Sequence, residues 1–432
     1  MVKFIDLFSG IGGIREGFEQ ACADRKIDSQ CVFTSDIKPA SIKVFNQNHP
    51  NEEIKGDITK IDPTTIPDFD VLLAGFPCQA FSSAGKRLGF DEARGLLIFY
   101  VAKILEAKQP KAFVLENVEG LVKHDMKNAP KDSPIGYTLL VILKKLQELG
   151  YKTSWKLIDA SEYGIPQQRK RVYIVGTKIK KPNLEGFQKK DSCLADVLES
   201  GLPTVETQFT KRLIKLIGLE NLPGMSIKDK RGGSNNIHSW DLQLKGKTTQ
   251  RQRDLLNRIL TERRKKKWAK EYGIVWMDGM PLTLQMIESF WEKPGLQEDL
   301  DYLVQKKYLK LEHPKQQYTN ESGTTYRVPV ESLPLGYNIV SGKMSFEINE
   351  VLDPSQKAPT LVAMDMAHLY VVDGDGLRPL SLREGLRLFG YPDKLRFDVS
   401  KEEGYDLLGN TVVVPIIKLV SGRVLDVLQE GE

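Results

Sequence analysis

Phe4-Ile5-Asp6-Leu7-Phe8 reads as a buried strand that runs straight into the glycine-rich turn Phe8-Ser9-Gly10-Ile11-Gly12-Gly13 and then a helical pattern to about Ala23. A strand this apolar needs cover on both faces, and strand-to-helix crossovers supply it. Further short apolar runs at 31–34, 71–74 and 112–115 read as strands, with helical patterns near 96–107 and 136–149. Residues 154–158 and 171–175 read as a last strand pair. Residues 1–177 therefore predict an α/β domain with a mostly parallel sheet, whose ligands sit at the carboxyl ends of the strands.

From about Lys178 the alternation stops. A helix is expected over 251–271, two short ones over 282–291 and 296–311, and short strands between 326 and 375. Helices over about 380–388 and 414–428 return to the α/β style. The 432 residues leave room for two or three domains. With 41% hydrophobic and 28% charged residues the chain has the make-up of a globular protein. No apolar run approaches the roughly 20 residues that cross a bilayer, so no membrane partner is expected. An acid arrives at Asp6, before any long apolar run, so no secretory signal is expected. Cys22, Cys31, Cys78 and Cys193 are too scattered for a disulfide framework, which points to a reducing cytoplasm. The net charge of +5 is uneven, because residues 211–270 hold 17 Lys plus Arg against 5 Asp plus Glu. Such a block suits a polyanion, nucleic acid most simply, and equally a solvated helix face.

Chemistry-bearing residues gather at the predicted strand ends. Glycines in the first turn let a backbone approach a ligand closely, although plain turns share that pattern. Asp36 follows the second strand, where a carboxylate can hold ribose hydroxyls, and Asp57 is placed to meet an adenine amino group. Gly75-Phe76-Pro77-Cys78-Gln79-Ala80-Phe81-Ser82 sets a cysteine at the end of the 71–74 strand, as a nucleophile or as a buried structural thiol. Glu116-Asn117-Val118 ends the next strand, and its carboxyl group serves a site, a helix cap or a salt bridge. Gln167-Gln168-Arg169-Lys170-Arg171 supplies cations nearby.

These motifs, in this order and at this spacing, resemble the DNA (cytosine-5) methyltransferases. Two later blocks extend the resemblance: Arg378 to Pro392 (RPLSLREGLRLFGYP) and Gly409-Asn410-Thr411-Val412-Val413-Val414-Pro415. The match covers about 3–177 and 378–416. It implies a Rossmann-like, S-adenosylmethionine-dependent α/β domain over 1–180, completed by 377–432, with a smaller target-recognition domain inserted at 181–376. It implies duplex DNA as partner, S-adenosylmethionine as cofactor, no metal, and a bacterial restriction-modification setting. There the chain would act as a cytoplasmic, nucleoid-associated monomer beside a cognate restriction endonuclease.

The resemblance also implies roles. Cys78 would add to carbon 6 of a flipped cytosine so that carbon 5 becomes nucleophilic, with Arg169 and Arg171 favouring the thiolate and Glu116 protonating ring nitrogen 3. The cofactor positions would be Phe4, Leu7, Gly10, Gly12, Asp36, Ile37, Asp57, Ile58, Pro77, Leu97 and Asn410, with Asp36 standing where many relatives carry Glu. Ser82, Lys86 and Arg87 lie in a loop resembling the one that closes over DNA. Arg231, Asn235, Asn236 and His238 form a candidate groove loop, Thr360-Leu361 resembles the dipeptide marking a second one, and the basic helix 251–270 would grip phosphates. A tRNA cytosine-5 methyltransferase and a catalytically idle DNA-binding protein on the same scaffold remain open. An NAD-dependent oxidoreductase leaves the Cys78 and Glu116 motifs unexplained.

Overall fold

The computed structural model describes residues 1–76, 97–229, 233–275, 279–320, 325–340 and 346–431. The chain forms two units, one of Met1–Glu199, Asp353–Ala367 and Leu380–Glu432, the other of Ser200–Leu352 and His368–Pro379.

The first unit is built on seven strands: β1 (Val2–Leu7), β2 (Ser29–Ser35), β3 (Ile54–Lys55), β4 (Val71–Gly75), β5 (Ala112–Val118), β6 (Lys152–Asp159) and β7 (Lys170–Thr177). Their spatial order is β3-β2-β1-β4-β5-β7-β6. The pairs from β3 to β5 are parallel, and β7 runs antiparallel to both its neighbours. The order reverses between β1 and β4, and such a reversal opens a crevice at the strands' carboxyl ends. Covering helices are α1 (Gly13–Asp24), α2 (Pro39–Asn48), α3 (Leu97–Lys108) and α4 (Tyr137–Glu148). On α1 the buried residues Ile14, Gly17, Phe18, Ala21 and Cys22 follow helical spacing and form one face. Leu72, Val101, Phe113, Leu139 and Ile174 lie in the core around this sheet, each burial worth about 1.5–3 kcal/mol.

The second unit begins with α5 (Gln208–Ile217), β8 (Ser226–Ile227) and β9 (Asn236–Ile237), then α6 (Gln250–Glu262), α7 (Lys266–Glu271), α8 (Leu284–Glu288) and α9 (Leu296–Gln305). Strands β10 (Leu309–Glu312), β11 (Lys315–Thr319), β12 (Thr325–Pro329), β13 (Gly336–Ile339), β14 (Glu350–Val351), β15 (Leu369–Asp373) and β16 (Gly376–Pro379) complete it. They form a five-stranded sheet, β16-β15-β14-β8-β9, and two antiparallel pairs, β10-β13 and β11-β12. One core joins α6, α7, α8 and α9 through Leu255, Trp268, Ile287 and Leu300, and another lies around the five-stranded sheet. The first unit closes with α10 (Leu382–Arg387), α11 (Lys401–Gly409) and α12 (Val414–Glu430). A Cβ on Gly17 would stand 2.6 Å from that of Ile417, so the glycine lets α12 lie against α1.

Three expected helices differ in the structure. The one expected over 251–271 breaks after Glu262, because the buried Trp268 indole donates to the Glu262 carbonyl at 2.9 Å and the chain turns at Arg263. The one expected over 296–311 ends at Gln305, where Lys307 takes a left-handed φ of 60° and the chain enters β10. That over 282–291 shrinks to α8, capped by Thr283. Several cations of the basic block are held in ion pairs. Arg251 meets Asp299 at 2.6 Å, while Arg258 and Lys265 both meet Glu262. Lys266, Lys267 and Lys270 remain exposed on α7. Among the described residues no helix is long and apolar enough to cross a membrane, and no cluster has the make-up of a metal site.

Candidate active site

The turn after β1 is held in a conformation that a side chain at Gly10 or Gly12 would strain. Both glycines have positive φ, 54° and 79°, and Gly12 caps α1. Phe8 shares the left-handed region at φ 56°, a sparsely populated conformation for a bulky residue and a mark of functional loops. Asp36, just past β2, fixes the turn from outside. One of its carboxylate oxygens accepts the Gly10 N–H at 2.8 Å and the other accepts the Lys38 N–H at 2.8 Å. Asp57 accepts the Thr59 N–H and hydroxyl, and those bonds hold its carboxyl below the usual range and therefore anionic.

Glu116 occupies the next strand end, in register with Gly75 across β4 and β5. It is buried, and burial pushes its carboxyl pKa up while the Arg171 and Arg169 cations pull it down. The Arg171 Nε stands 3.3 Å from Glu116 Oε1. Beside it, Asn117 donates its side-chain N–H to the Phe76 carbonyl at 3.0 Å, fixing the last described residue before Pro77-Cys78. A cavity of about 590 Å³ lies at these strand ends, a size suited to a small-molecule cofactor. Gly10, Asp36, Ile37, Asp57, Ile58, Leu97, Asn410, Glu116, Arg169 and Arg171, all expected at the site, line it together. Phe8, Ile11, Phe76 and Val412 add apolar wall that the sequence reading missed, and Lys38 and Asp406 form an ion pair at its edge.

Other expected residues lie elsewhere. Phe4 and Leu7 are fully buried in the sheet core and line no part of the cavity, and Gly12, the cap of α1, does not line it either. Arg169 is buried, with its guanidinium donating to the carbonyls of Leu361 at 2.9 Å, Gly409 at 3.2 Å and Thr411 at 2.8 Å. It staples two distant segments, at Leu361 and at Gly409 to Thr411, to its own, as well as lending charge to the cavity. Gln167 helps by donating to the Leu388 carbonyl and accepting the Leu361 N–H. Leu361 is therefore a buried anchor and its side chain is not available to a base, while the Thr360 hydroxyl donates to the Gln168 carbonyl. His238 is likewise buried, stacked on Trp240 at 4.5 Å and bonded to Asp241, so its ring is enclosed within this unit. Asn235 is exposed and Asn236 partly so. Pro77, Cys78, Ser82, Lys86, Arg87 and Arg231 lie outside the described residues.

Comparison with known proteins identifies the family. The model of the C-5 cytosine-specific DNA methylase family matches residues 2–425. The chain is 59% identical over 427 residues to the type II methyltransferase M.NlaIV of Neisseria lactamica, covering 99% of each chain. It is 58% identical, with the same coverage, to the type II methyltransferase M.NgoBV of Neisseria gonorrhoeae. Among solved structures, the Entamoeba histolytica methyltransferase EhMeth shares the fold, with a TM-score of 0.52 at 15% identity over 100% of this chain and 98% of that one. With a family match over residues 2–425 and relatives at 59% and 58% identity over almost the whole of both chains, the chain belongs to the C-5 cytosine-specific DNA methylases and is a DNA (cytosine-5) methyltransferase.

Proposed function

We propose that this enzyme methylates carbon 5 of a cytosine flipped out of one specific duplex sequence, through a transient bond between Cys78 and carbon 6. The observation that carries the reading is Glu116. It is a buried carboxyl group at a cavity rim, raised in pKa and held beside Arg171, one strand away from the β4 end that leads into Pro77-Cys78. The Cys78 thiolate adds to carbon 6, and the electron pair displaced from the ring is accepted at nitrogen 3, where protonated Glu116 donates. Arg171 favours charge on the carboxylate once that proton has moved. Once carbon 5 carries the methyl group, the nitrogen 3 proton returns to the Glu116 carboxylate, and loss of the carbon 5 proton to a base with departure of the Cys78 thiolate restores the ring.

The cavity fits S-adenosylmethionine, which supplies an electrophilic methyl group on its sulfonium when bound. The Asp36 carboxylate keeps lone pairs for ribose hydroxyls, the Asp57 carboxylate suits an amino group, and Phe8, Ile58, Leu97 and Val412 give the base apolar walls. The second unit supplies sequence recognition in this reading, with Asn235 and Asn236 among its contacts. The naming of the Neisseria relatives supports a type II restriction-modification role, in which a monomer marks nucleoid DNA in the cytoplasm against a separate endonuclease.

Bisulfite sequencing of DNA from a methylation-free host expressing the enzyme, beside its Cys78→Ala variant, tests this. Protected cytosines in one short context, lost in the variant, are expected. Full conversion with both proteins would overturn the reading and send the search to host tRNA.

A further inference from the structure

The ribbon formed by β11 and β12 buries neither of its faces. All five residues of β12 are exposed, and β11 runs from half-buried to exposed. An isolated two-stranded hairpin is marginal in water, so this one owes its order to its base. There the Val330 N–H donates to the Pro314 carbonyl at 2.8 Å, and the His313 ring bonds the Leu333 carbonyl at 2.7 Å. Glu312 adds contacts to Lys310, Lys315 and Asn338. One pair short of the far end, Tyr318 and Tyr326 stand opposite each other with rings 5.8 Å apart and stacked, and each is about half exposed. On the other face Gln317 is paired directly with Arg327, flanked by the Thr319–Thr325 pair. The two strands contain Lys315 and Arg327 and no acidic residue.

We infer that this ribbon enters the major groove of the substrate duplex and reads base edges through Gln317 and Arg327. Five residues at about 3.4 Å each give a reach of roughly 17 Å. A two-stranded ribbon fits a major groove about 12 Å wide. Arginine and glutamine are the side chains that bond guanine and adenine edges in bidentate fashion. Cross-strand neighbours put both on one pair of adjacent bases. The tyrosine pair stiffens the ribbon from the opposite face, and the absence of acids in the strands lets it approach phosphates. The inference rests on the enzyme's action on duplex DNA and adds the element that reads it.

The test uses the full-length enzyme, a duplex carrying the site mapped by bisulfite sequencing, and duplexes with single mismatches. The doubly substituted Gln317→Ala/Arg327→Ala enzyme should raise KM for the duplex about tenfold to a hundredfold, the range a bidentate base contact commands. Its kcat and its affinity for S-adenosylhomocysteine should stay within about twofold, and methylation should spread to mismatched sites. Unchanged KM and site preference would overturn the inference. So would a concentration-dependent dimer of the wild-type enzyme that disappears in Tyr318→Ser/Tyr326→Ser, because the ribbon would then be a self-association face. Absence of methyl transfer by the wild-type enzyme would instead sink the functional reading itself.

Discussion

Arg171 Nε lies 3.3 Å from Glu116 Oε1, and both side chains are almost fully enclosed, about 13% and 10% exposed. The pair sets two opposed influences on one carboxyl group. Burial favours its neutral form and the guanidinium its anion, with burial the larger, so the carboxyl titrates above its ordinary value. That balance suits a group that must donate a proton and then bear a charge.

Glu116 should therefore carry the alkaline limb of activity. The protonated form is the active one, so single-turnover methyl transfer is expected to fall as pH rises through its raised pKa. Glu116→Ala should slow the chemical step about 10²–10⁴-fold, and Glu116→Gln, which keeps an N–H donor, should sit near the lower end. Arg171→Met removes a group that lowers the pKa, so the alkaline limb should move to higher pH even as the maximal rate drops. A limb that stays in place would assign the titration to another group.

Arg169 is expected to matter for stability as much as for rate. Replacing it with Met strips partners from the carbonyls of Leu361, Gly409 and Thr411. Each buried acceptor left unsatisfied costs about 1–3 kcal/mol, so a loss of about 3 kcal/mol or more is expected in urea unfolding. Arg169→Lys should recover part of it, since one ammonium cannot span the three carbonyls. Because Gly409 to Thr411 line the cavity, affinity for S-adenosylhomocysteine should fall as well.

What could be read in advance follows from how locally each feature is encoded. The turn at 8–13 and Asp36 sit directly after a strand and Glu116 near the end of one, so strand ends located from apolar runs located them too. Arg169 answers to carbonyls about 190 to 240 residues away, and no local pattern announces such partners. Phe4 and Leu7 lie off the cavity because β1 is buried on both faces, and the chain first reaches the cavity at Phe8, beyond the strand's last residue. His238 stands among Ser and Asn residues that read as a solvated loop, yet its stacking on Trp240 takes it inside. Helical spacing continued through Arg263 in the sequence, but α6 ends there, where the Trp268 indole donates to the Glu262 carbonyl and Arg263 donates to the distant Asn338 side chain and accepts the Met280 N–H.

Asp36 should govern cofactor affinity through two effects at once. Asp36→Ala removes the acceptor for the Gly10 and Lys38 N–H groups and any bond to a ribose. Hydrogen bonds to charged groups are worth about 1.5–3 kcal/mol, so titration calorimetry should show S-adenosylhomocysteine binding at least about tenfold weaker. Asp36→Asn, which keeps one acceptor, should fall between. Equal affinity in all three proteins would place the ribose elsewhere in the cavity.

Asp6 gives a prediction about folding that is independent of catalysis. It is fully buried in β1, and neither of its carboxyl oxygens has a hydrogen-bond partner among the described residues. Burial lifts its pKa from 3.8 to about 8, helped by the nearby Asp36 and Glu19 carboxylates and opposed by Arg15. Between those two values the folded chain holds a proton that the unfolded chain has lost. Its contribution to stability is thus complete below about pH 4 and is lost as pH rises towards about 8. One proton corresponds to a slope of about 1.4 kcal/mol per pH unit. Asp6→Asn removes the titration, so urea unfolding between pH 6 and 8 should show the variant gaining on the wild-type enzyme as pH increases. Parallel curves would mean that Asp6 stays charged in its buried position.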